Sequence, residues 1–211
     1  MKIRTAGIIF AFVVVIVAIV ILSVYSVGKE SENPVVATST PVTTASENLP
    51  NVYQNTSDGF TLRYPAGYTV NESYTYQALG PGKDIHGVKF TVASSTTSGT
   101  NLSTDSYISV EEIPQMRVCS AELFVSSRAF IQNITDGNIT YSVATSSEAA
   151  AGNRYEELVY ALPGTNPCVA VRYLIHHCVF ENYPAGTIRQ FDRQALIDQF
   201  DMIRRTLVVN Q

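Results

Sequence analysis

The sequence predicts an α+β protein, in which an antiparallel sheet is covered by helices and preceded by one transmembrane helix. Three observations lead to this prediction. Residues 6–27 contain no charged side chain, short runs of alternating apolar and polar residues recur from residue 51 onward, and residues 192–207 repeat apolar side chains at helical spacing. Because short turns join the strand-like runs, we expect the strands to pair antiparallel and the helices to cover the sheet.

The apolar excess of the 211-residue chain, whose mean hydropathy is +0.09, is concentrated near its beginning. A helix of residues 6–27 would be about 33 Å long, enough to cross the hydrocarbon core of a bilayer. Lys2 and Arg4 precede it, and positive charges favour the cytoplasmic side. We therefore expect residues 1–5 to be a cytoplasmic tail, residues 6–27 to be a single-pass anchor in the lipid bilayer of the cell membrane, and the remainder to be extracytoplasmic.

Two other interpretations of the apolar segment remain open at this stage. The first is a cleaved signal peptide. Residues 24–26 (VYS) form an acceptable cleavage site for it, although the apolar region of a signal peptide is usually shorter. A pilin-like structural subunit would instead be processed after Gly7, although Phe12 stands where pilins usually carry glutamate. Whether the anchor is cleaved is therefore not decided by the sequence.

Residues 28–50 predict a flexible tether, because they contain three prolines and many serines and threonines but almost no large apolar side chains. The folded domain then comprises residues 51–211, a length that can bury one ordinary core. The net charge is −4, the isoelectric point is near 5.3, and no basic cluster is present. We therefore do not expect the chain to bind nucleic acid.

Two hairpins are predicted at the start of the domain. Residues 52–54 and 60–64 flank an Asp-Gly turn, and the second run alternates apolar and polar side chains. Residues 74–77 and 88–92 flank a second turn with the sequence GPGKD.

The next part of the chain predicts a mixture of loop, strand and helix. The small, polar residues 94–105 predict a surface loop, and residues 107–113 predict a further strand. Residues 121–127 predict a short helix capped by Ser120.

The last third predicts a meander followed by a helix. Three strands are expected at residues 139–144, 155–162 and 169–180, joined by short turns. Asp192 is a suitable N-cap for the closing helix. The apolar stripe of that helix is predicted to contain Leu196, Phe200, Ile203 and Leu207.

Two short motifs resemble PsbP-like domains. Residues 60–65 (FTLRYP) resemble the opening strand of that family, and residues 200–207 (FDMIRRTL) resemble its closing helix. The resemblance covers residues 51–211 and implies an α/β/α sandwich that acts as an extracytoplasmic accessory or binding domain. The chain departs from the family pattern after Pro65, where many members carry a tryptophan and this chain has none. The middle of the domain, including Cys119 and residues 182–184 (NYP), also resembles membrane-anchored bacterial proteins of uncharacterised function.

Three cysteines suit an oxidising exterior. Cys168 and Cys178 are separated by about 33 Å of extended strand, too far for a disulfide within that strand. Cys119 is therefore half of any intramolecular disulfide, and we favour Cys168 as its partner. Three reduced thiols remain the alternative, and the redox state of Cys178 stays open.

Adjacent strand residues point to opposite faces, so His176 and Cys178 share one face and His177 lies on the other. Two candidate ligands at this spacing are half of a metal site at best. We therefore expect hydrogen-bonded histidines and no metal or other cofactor. Two groups of carboxylates are candidates for acid–base chemistry, and we expect both to lie at the solvated surface. They are Asp192, Asp198 and Asp201 on the last helix and the adjacent pair Glu111 and Glu112.

No GxSxG, HExxH, P-loop or GxGxxG motif is present, so we expect no enzymatic activity. The leading hypothesis is a membrane-anchored extracytoplasmic binding or accessory module with an envelope protein as its partner. One alternative is an envelope hydrolase whose site is assembled from Asp84, His86 and Glu111. The pilin-like structural subunit is the other. The ligand and the oligomeric state cannot be inferred from the residues.

Overall fold

The computed structural model describes residues 48–55, 59–126 and 128–210. The predicted cytoplasmic tail, the anchor and nearly all of the tether lie outside these residues, as does the pilin-type processing site at Gly7. Within the described ranges, no helix is long and apolar enough to cross a bilayer.

Ten strands and two α-helices make up the described part of the chain. The strands are β1 (Asn51–Asn55), β2 (Phe60–Tyr64), β3 (Thr69–Tyr76), β4 (Ile85–Thr91), β5 (Tyr107–Ile113), β6 (Phe130–Asp136), β7 (Ile139–Ala150), β8 (Asn153–Ala161), β9 (Cys168–Cys178) and β10 (Val208–Val209). The helices are α1 (Ser94–Thr97) and α2 (Arg193–Arg204), and two short 3-10 helices span Ala121–Phe124 and Phe180–Asn182.

The strands form two antiparallel sheets. Seven strands form the main sheet in the order β3-β4-β5-β9-β8-β7-β6, and three form a small sheet in the order β1-β2-β10. The predicted fold class is confirmed at this level, since the described protein is α+β and dominated by antiparallel sheet.

Side chains alternate between the two faces of the main sheet. Along β9, Val171, Tyr173 and Ile175 point to the face that packs against α2 and the small sheet, which we call the helix face. Cys168 and Ala170 point to the other, which we call the disulfide face. The helix face contains the larger apolar cluster, so most of the hydrophobic stabilisation comes from this side.

Most of the predicted elements are confirmed. β1 pairs with β2 and β3 with β4, β5 spans the predicted residues, and β7, β8 and β9 form the expected meander. The Asp192 carboxylate accepts a hydrogen bond from the Ala195 backbone N–H at 3.0 Å, as expected of an N-cap.

The predicted helix at residues 121–127 is wrong. Only the 3-10 helix Ala121–Phe124 forms there, and the Ser120 side chain makes no capping hydrogen bond in it. The Phe124 carbonyl instead accepts a hydrogen bond from Arg172 at 2.7 Å. This bond holds the segment against the disulfide face and takes the carbonyl out of any helical pattern.

Three further elements differ from the prediction. Strand β6 was not expected, and over its whole length it pairs with residues 139–145, the first part of β7. The supposed surface loop contains α1 and buries Asn101 and Leu102. Helix α2 ends at Arg204, before Leu207, because the chain straightens to pair β10 with β2.

Candidate functional site

A groove lies between α2 and the segment that contains and follows α1, and we call it the α2 groove. Its volume is about 450 Å³. The buried side chains of Leu102, Phe191 and Leu196 line its apolar floor, and Arg189 and Gln199 belong to its polar rim. An apolar floor with a few polar groups is the usual composition of a binding site.

Asn101 positions the two walls of the α2 groove. Its side-chain amide donates to the Cys178 carbonyl at 2.7 Å, and its side-chain oxygen accepts from the Phe191 backbone N–H at 2.9 Å. The end of β9 is thereby tied to the residues that lead into α2. On the rim, the Tyr68 hydroxyl donates to Gln199 at 3.0 Å, and burial raises the pKa of Tyr68, so the hydroxyl stays protonated.

A fully buried ion pair lies on the disulfide face. Arg172 and Glu111 are fully buried and joined by two hydrogen bonds, at 2.8 Å from Nε and 2.9 Å from Nη2. The guanidinium also lies over the Tyr76 ring, 3.5 Å from its centroid. Glu111 is therefore a core residue, and the prediction that it lies at the surface is wrong.

Tyrosine hydroxyls surround this ion pair. Tyr74 is within hydrogen-bond distance of Tyr107 at 2.7 Å and of Glu111 at 3.3 Å, and Tyr76 donates to Glu157 at 2.8 Å. Burial, followed by the negative charge of Glu111, raises the pKa of Tyr74. These hydroxyls stay protonated, and their hydrogen bonds link β3, β5 and β8 around the ion pair.

The Nη1 atom of Arg172 is the exception in this network. It lies 3.4 Å from Glu157 Oε1, but its direction does not allow a hydrogen bond, and no other described residue accepts one from it. Tyr76 and Glu157 also line a small pocket of about 260 Å³, together with Tyr155.

The predicted disulfide is confirmed. Cys119 and Cys168 are bonded, with a sequence separation of 49, and both side chains are buried on the disulfide face. The bond fastens the segment after β5 to the first residue of β9. We call this segment, residues 114–126, the covering segment. It also contains the Phe124 carbonyl that Arg172 binds, so the disulfide and this hydrogen bond both hold it against the sheet.

Cys178 lies outside the disulfide, and it belongs to a chain of polar side chains at the end of β9. Its thiol donates to Asn153 Oδ1 at 3.3 Å, and His176 Nε2 lies 3.0 Å from the same oxygen. His176 Nδ1 lies 2.7 Å from Asp105. Burial raises the pKa of Asp105, but hydrogen bonds from Ser103 and His176 outweigh it, so the net pKa is lowered.

The predicted alternation of His176, His177 and Cys178 is confirmed. His177 faces the other side, where its ring lies 5.0 Å from that of Phe191 and its Nε2 lies 3.7 Å from Glu156. In the part of the chain that the structure describes, no three histidine, cysteine or acidic side chains form a metal-binding group.

The three residues of the hydrolase alternative do not come together. Glu111 is buried on the disulfide face opposite Gly87, whereas His86 is exposed on the other face, where its strand partner is Glu112. Asp84 lies in the turn before β4 and accepts a hydrogen bond from Gln77 at 3.3 Å. No hydrolytic site can be assembled from these three side chains.

The carboxylates of the last helix have separate roles. Asp192 and Asp198 are exposed, as predicted, and Asp198 accepts a hydrogen bond from Gln194 at 2.8 Å. Asp201 is partly buried instead, because it accepts hydrogen bonds from Tyr173 at 2.8 Å and Arg204 at 3.1 Å.

Arg204 forms a second arginine–tyrosine cluster on the helix face. Its guanidinium lies 4.6 Å from the Tyr141 ring centroid and 4.4 Å from that of Tyr160. It also binds Asp136, whose pKa is lowered by hydrogen bonds from Arg204 and then Arg205. The sequence analysis missed this cluster because Asp136 belongs to the unpredicted strand β6.

Comparison with known proteins adds little. No protein-family model and no curated protein match the chain. A crystal structure of a protein from Bacteroides thetaiotaomicron is similar, with 11% sequence identity and a TM-score of 0.42. The match covers 76% of this chain but only 48% of that one, so the chain spans about half the length of this neighbour.

Proposed function

We propose that the chain is a membrane-anchored extracytoplasmic binding or accessory module and that the α2 groove holds its ligand. The observation that carries the proposal is the groove, whose apolar floor is surrounded by polar and charged side chains. Its volume of about 450 Å³ falls within the range of small-molecule sites. A groove of this size accepts a small organic molecule or the apolar side chains of a short peptide, such as a segment of an envelope protein.

Three features support an extracytoplasmic, membrane-anchored location. Disulfides persist mainly in oxidising compartments, and Cys119 is bonded to Cys168. The uncharged residues 6–27 have the length of a membrane anchor, and residues 28–50 have the composition of a tether. The resemblance to PsbP-like domains also favours an accessory role.

The groove is tested by filling it from one exposed position. Ala195 is exposed and lines the groove, whereas the neighbouring Gln194 is exposed and does not line it. Ligand-observed NMR with a defined library of small molecules and tripeptides is carried out on the full chain in detergent. We expect compounds that bind the wild type and Gln194→Trp but not Ala195→Trp. Compounds that bind all three proteins equally, or no binding at millimolar concentration, would contradict the proposal.

The location is tested by counting free thiols in cells. Acid-trapped cells expressing the full chain are denatured and treated with a polyethylene-glycol maleimide, which adds one mass increment per thiol. An extracytoplasmic domain should show one increment, and the Cys178→Ser variant none, because the other two cysteines are bonded. Three increments would place the domain in a reducing compartment and refute the location without affecting the groove.

A further inference from the structure

We propose that two copies of this chain pair through the free edge of β6, in antiparallel orientation, and so join their main sheets into one. β6 is the last strand of the main sheet, and within the described residues no strand pairs with its outer side. Its outer backbone N–H and C=O groups are therefore available to a further strand. The edge shares no residue with the α2 groove, so this interface is separate from the proposed ligand site.

The two edges of the main sheet differ in how they are protected against such pairing. Natural proteins protect a free edge with bulges, charged side chains or proline. At the opposite edge, β3 has a bulge between Asn71 and Tyr74, and the exposed Glu72 lies within it. β6 instead pairs with β7 through seven consecutive residues without a bulge, and it contains no lysine, arginine or proline. β6 is therefore the regular and unprotected edge.

An exposed aromatic side chain lies on this edge. Phe130, the first residue of β6, is 65% exposed. Ile134 lies four residues further, on the same face of the strand, and packs against the core of the helix face. In an antiparallel pair centred on Gln132, Phe130 of each copy lies directly opposite the partner's Ile134. Pairing thus covers an exposed phenylalanine with an isoleucine that already contacts the core.

The same register suits the charges at the two ends of β6. It brings Asp136 of each copy opposite the partner's Arg128, an exposed arginine in the turn before the strand. The two Asp136 carboxylates lie about 26 Å apart, whereas a parallel pair would place them side by side. Asp136 and Asp201 together balance the charges of Arg204 and Arg205, so Arg128 meets no net positive charge there.

The edge is self-complementary, which is the reason for assigning it to a second copy rather than to a different protein. A two-fold pair brings identical residues together only at its centre. Gln132 occupies that centre, and its amide can both donate to and accept from the partner's Gln132. No like charges and no unmatched large apolar side chain result from the pairing.

Cross-linking from single cysteines tests the interface. Each cysteine is placed in the Cys178→Ser background, so that it is the one thiol outside the Cys119–Cys168 disulfide. The full chain in mild detergent is oxidised with copper phenanthroline, and the disulfide-linked dimer is measured on non-reducing gels. In the proposed register the Cα atoms of the two copies of residue 132 lie about 4.5–5.5 Å apart, within the range that a disulfide spans.

We expect Gln132→Cys to form the dimer at least about tenfold faster than Thr135→Cys. Thr135 is the matched control, because it is also exposed on β6 but its two copies lie about 20 Å apart in this register. Random collision, or contact through another part of the chain, would cross-link both variants alike.

A second pair of variants tests the apolar contact. In the Gln132→Cys chain, Phe130→Lys should slow cross-linking about tenfold, because a lysine on an edge strand opposes pairing. Val118→Lys is the control, since Val118 is 73% exposed on the covering segment, and it should leave the rate unchanged. Circular dichroism checks that both variants fold. Equal rates in the two lysine variants would contradict the proposed contact.

Two other results would overturn the proposal. One is cross-linking of Gln132→Cys that is no faster than that of Thr135→Cys. The other is faster cross-linking of Asn133→Cys than of Gln132→Cys, because a pair centred on Asn133 would place Phe130 opposite the partner's Asp136.

Discussion

Removing one charge of the Arg172–Glu111 pair should destabilise the protein more than removing both. Arg172→Met leaves a fully buried carboxylate without its counter-charge, and Glu111→Leu leaves the guanidinium with Glu157, 3.4 Å from Nη1 and not hydrogen-bonded to it, as its remaining carboxylate. Breaking a buried ion pair from one side typically costs about 3–5 kcal/mol. We expect each single variant to lose that much free energy of unfolding.

The double variant Arg172→Met/Glu111→Leu should lose less. Replacing both charges by apolar groups of similar size is often neutral, because the desolvation penalty of the ions disappears with their attraction. One hydrogen bond has no replacement, since the Phe124 carbonyl loses its Arg172 donor. An unsatisfied buried carbonyl costs about 1–3 kcal/mol, and this is the loss we expect for the double variant.

Urea unfolding of the full chain in mild detergent, followed by circular dichroism, measures these differences. Glu122→Gln is the control, because Glu122 is an exposed carboxylate on the same covering segment, and we expect it to change stability by less than about 0.5 kcal/mol. A double variant whose loss equals the sum of the two single losses would refute the reasoning, because the two charges would then act independently.

Three other predictions concern separate parts of the fold. Gly87→Ala should destabilise the protein by about 2–3 kcal/mol in urea unfolding, because its Cβ would lie 2.3 Å from the Val110 carbonyl oxygen, and an unchanged midpoint would contradict this. Replacing Cys119 and Cys168 together by alanine should lower the free energy of unfolding by about 3–4 kcal/mol, because the disulfide closes a loop with a sequence separation of 49. Reducing the disulfide of the wild type should cause the same loss, and an unchanged stability after reduction would contradict this prediction. Asp136 has a folded pKa below its ordinary value of 3.8, so its ion pairs stabilise the protein above that pH and the contribution disappears as pH falls. The stability difference between the wild type and Asp136→Asn should therefore be constant near neutral pH and shrink below about pH 4, and a difference that grew in acid would have the wrong sign.

The sequence was most informative where local pattern decides structure. Period-two alternation located most strands, and Asp192 marked the start of α2 because an N-cap acts within one turn. Strand β6 was missed because its partly buried Ile131 and Ile134 are three residues apart, so each serves a different face of an edge strand. The α2 groove could not be predicted, since its walls come from segments almost 90 residues apart, which Asn101 and a backbone bridge between Thr100 and Arg189 bring together.

A signal for the buried ion pair was present in the sequence. Two adjacent glutamates on one strand must point to opposite faces, so in a sheet covered on both sides one of them enters the core. Arg172 is the one charged residue within the apolar run of β9 before its two histidines. A lone arginine in such a run needs a buried partner, and Glu111 on the neighbouring strand meets that need.

The two arginine–tyrosine clusters suggest why this sheet tolerates buried charge. A register shift of two residues leaves every side chain on its own face of the sheet, so the alternation of apolar residues does not by itself exclude it. In the observed register Glu111 lies opposite Ala170, and Glu157 lies opposite Leu174, so Arg172 reaches both carboxylates from between them. A shift of two residues would move a carboxylate away from the guanidinium and leave a buried charge without its partner, at a cost of several kcal/mol.

Arg204 acts similarly on the helix face, because Tyr141, Tyr160 and Asp136 lie on three different strands that must be aligned to surround it. The buried ion pair thus contributes more to strand register and to the position of the covering segment than to net stability, which is why its loss from one side should cost more than its complete removal.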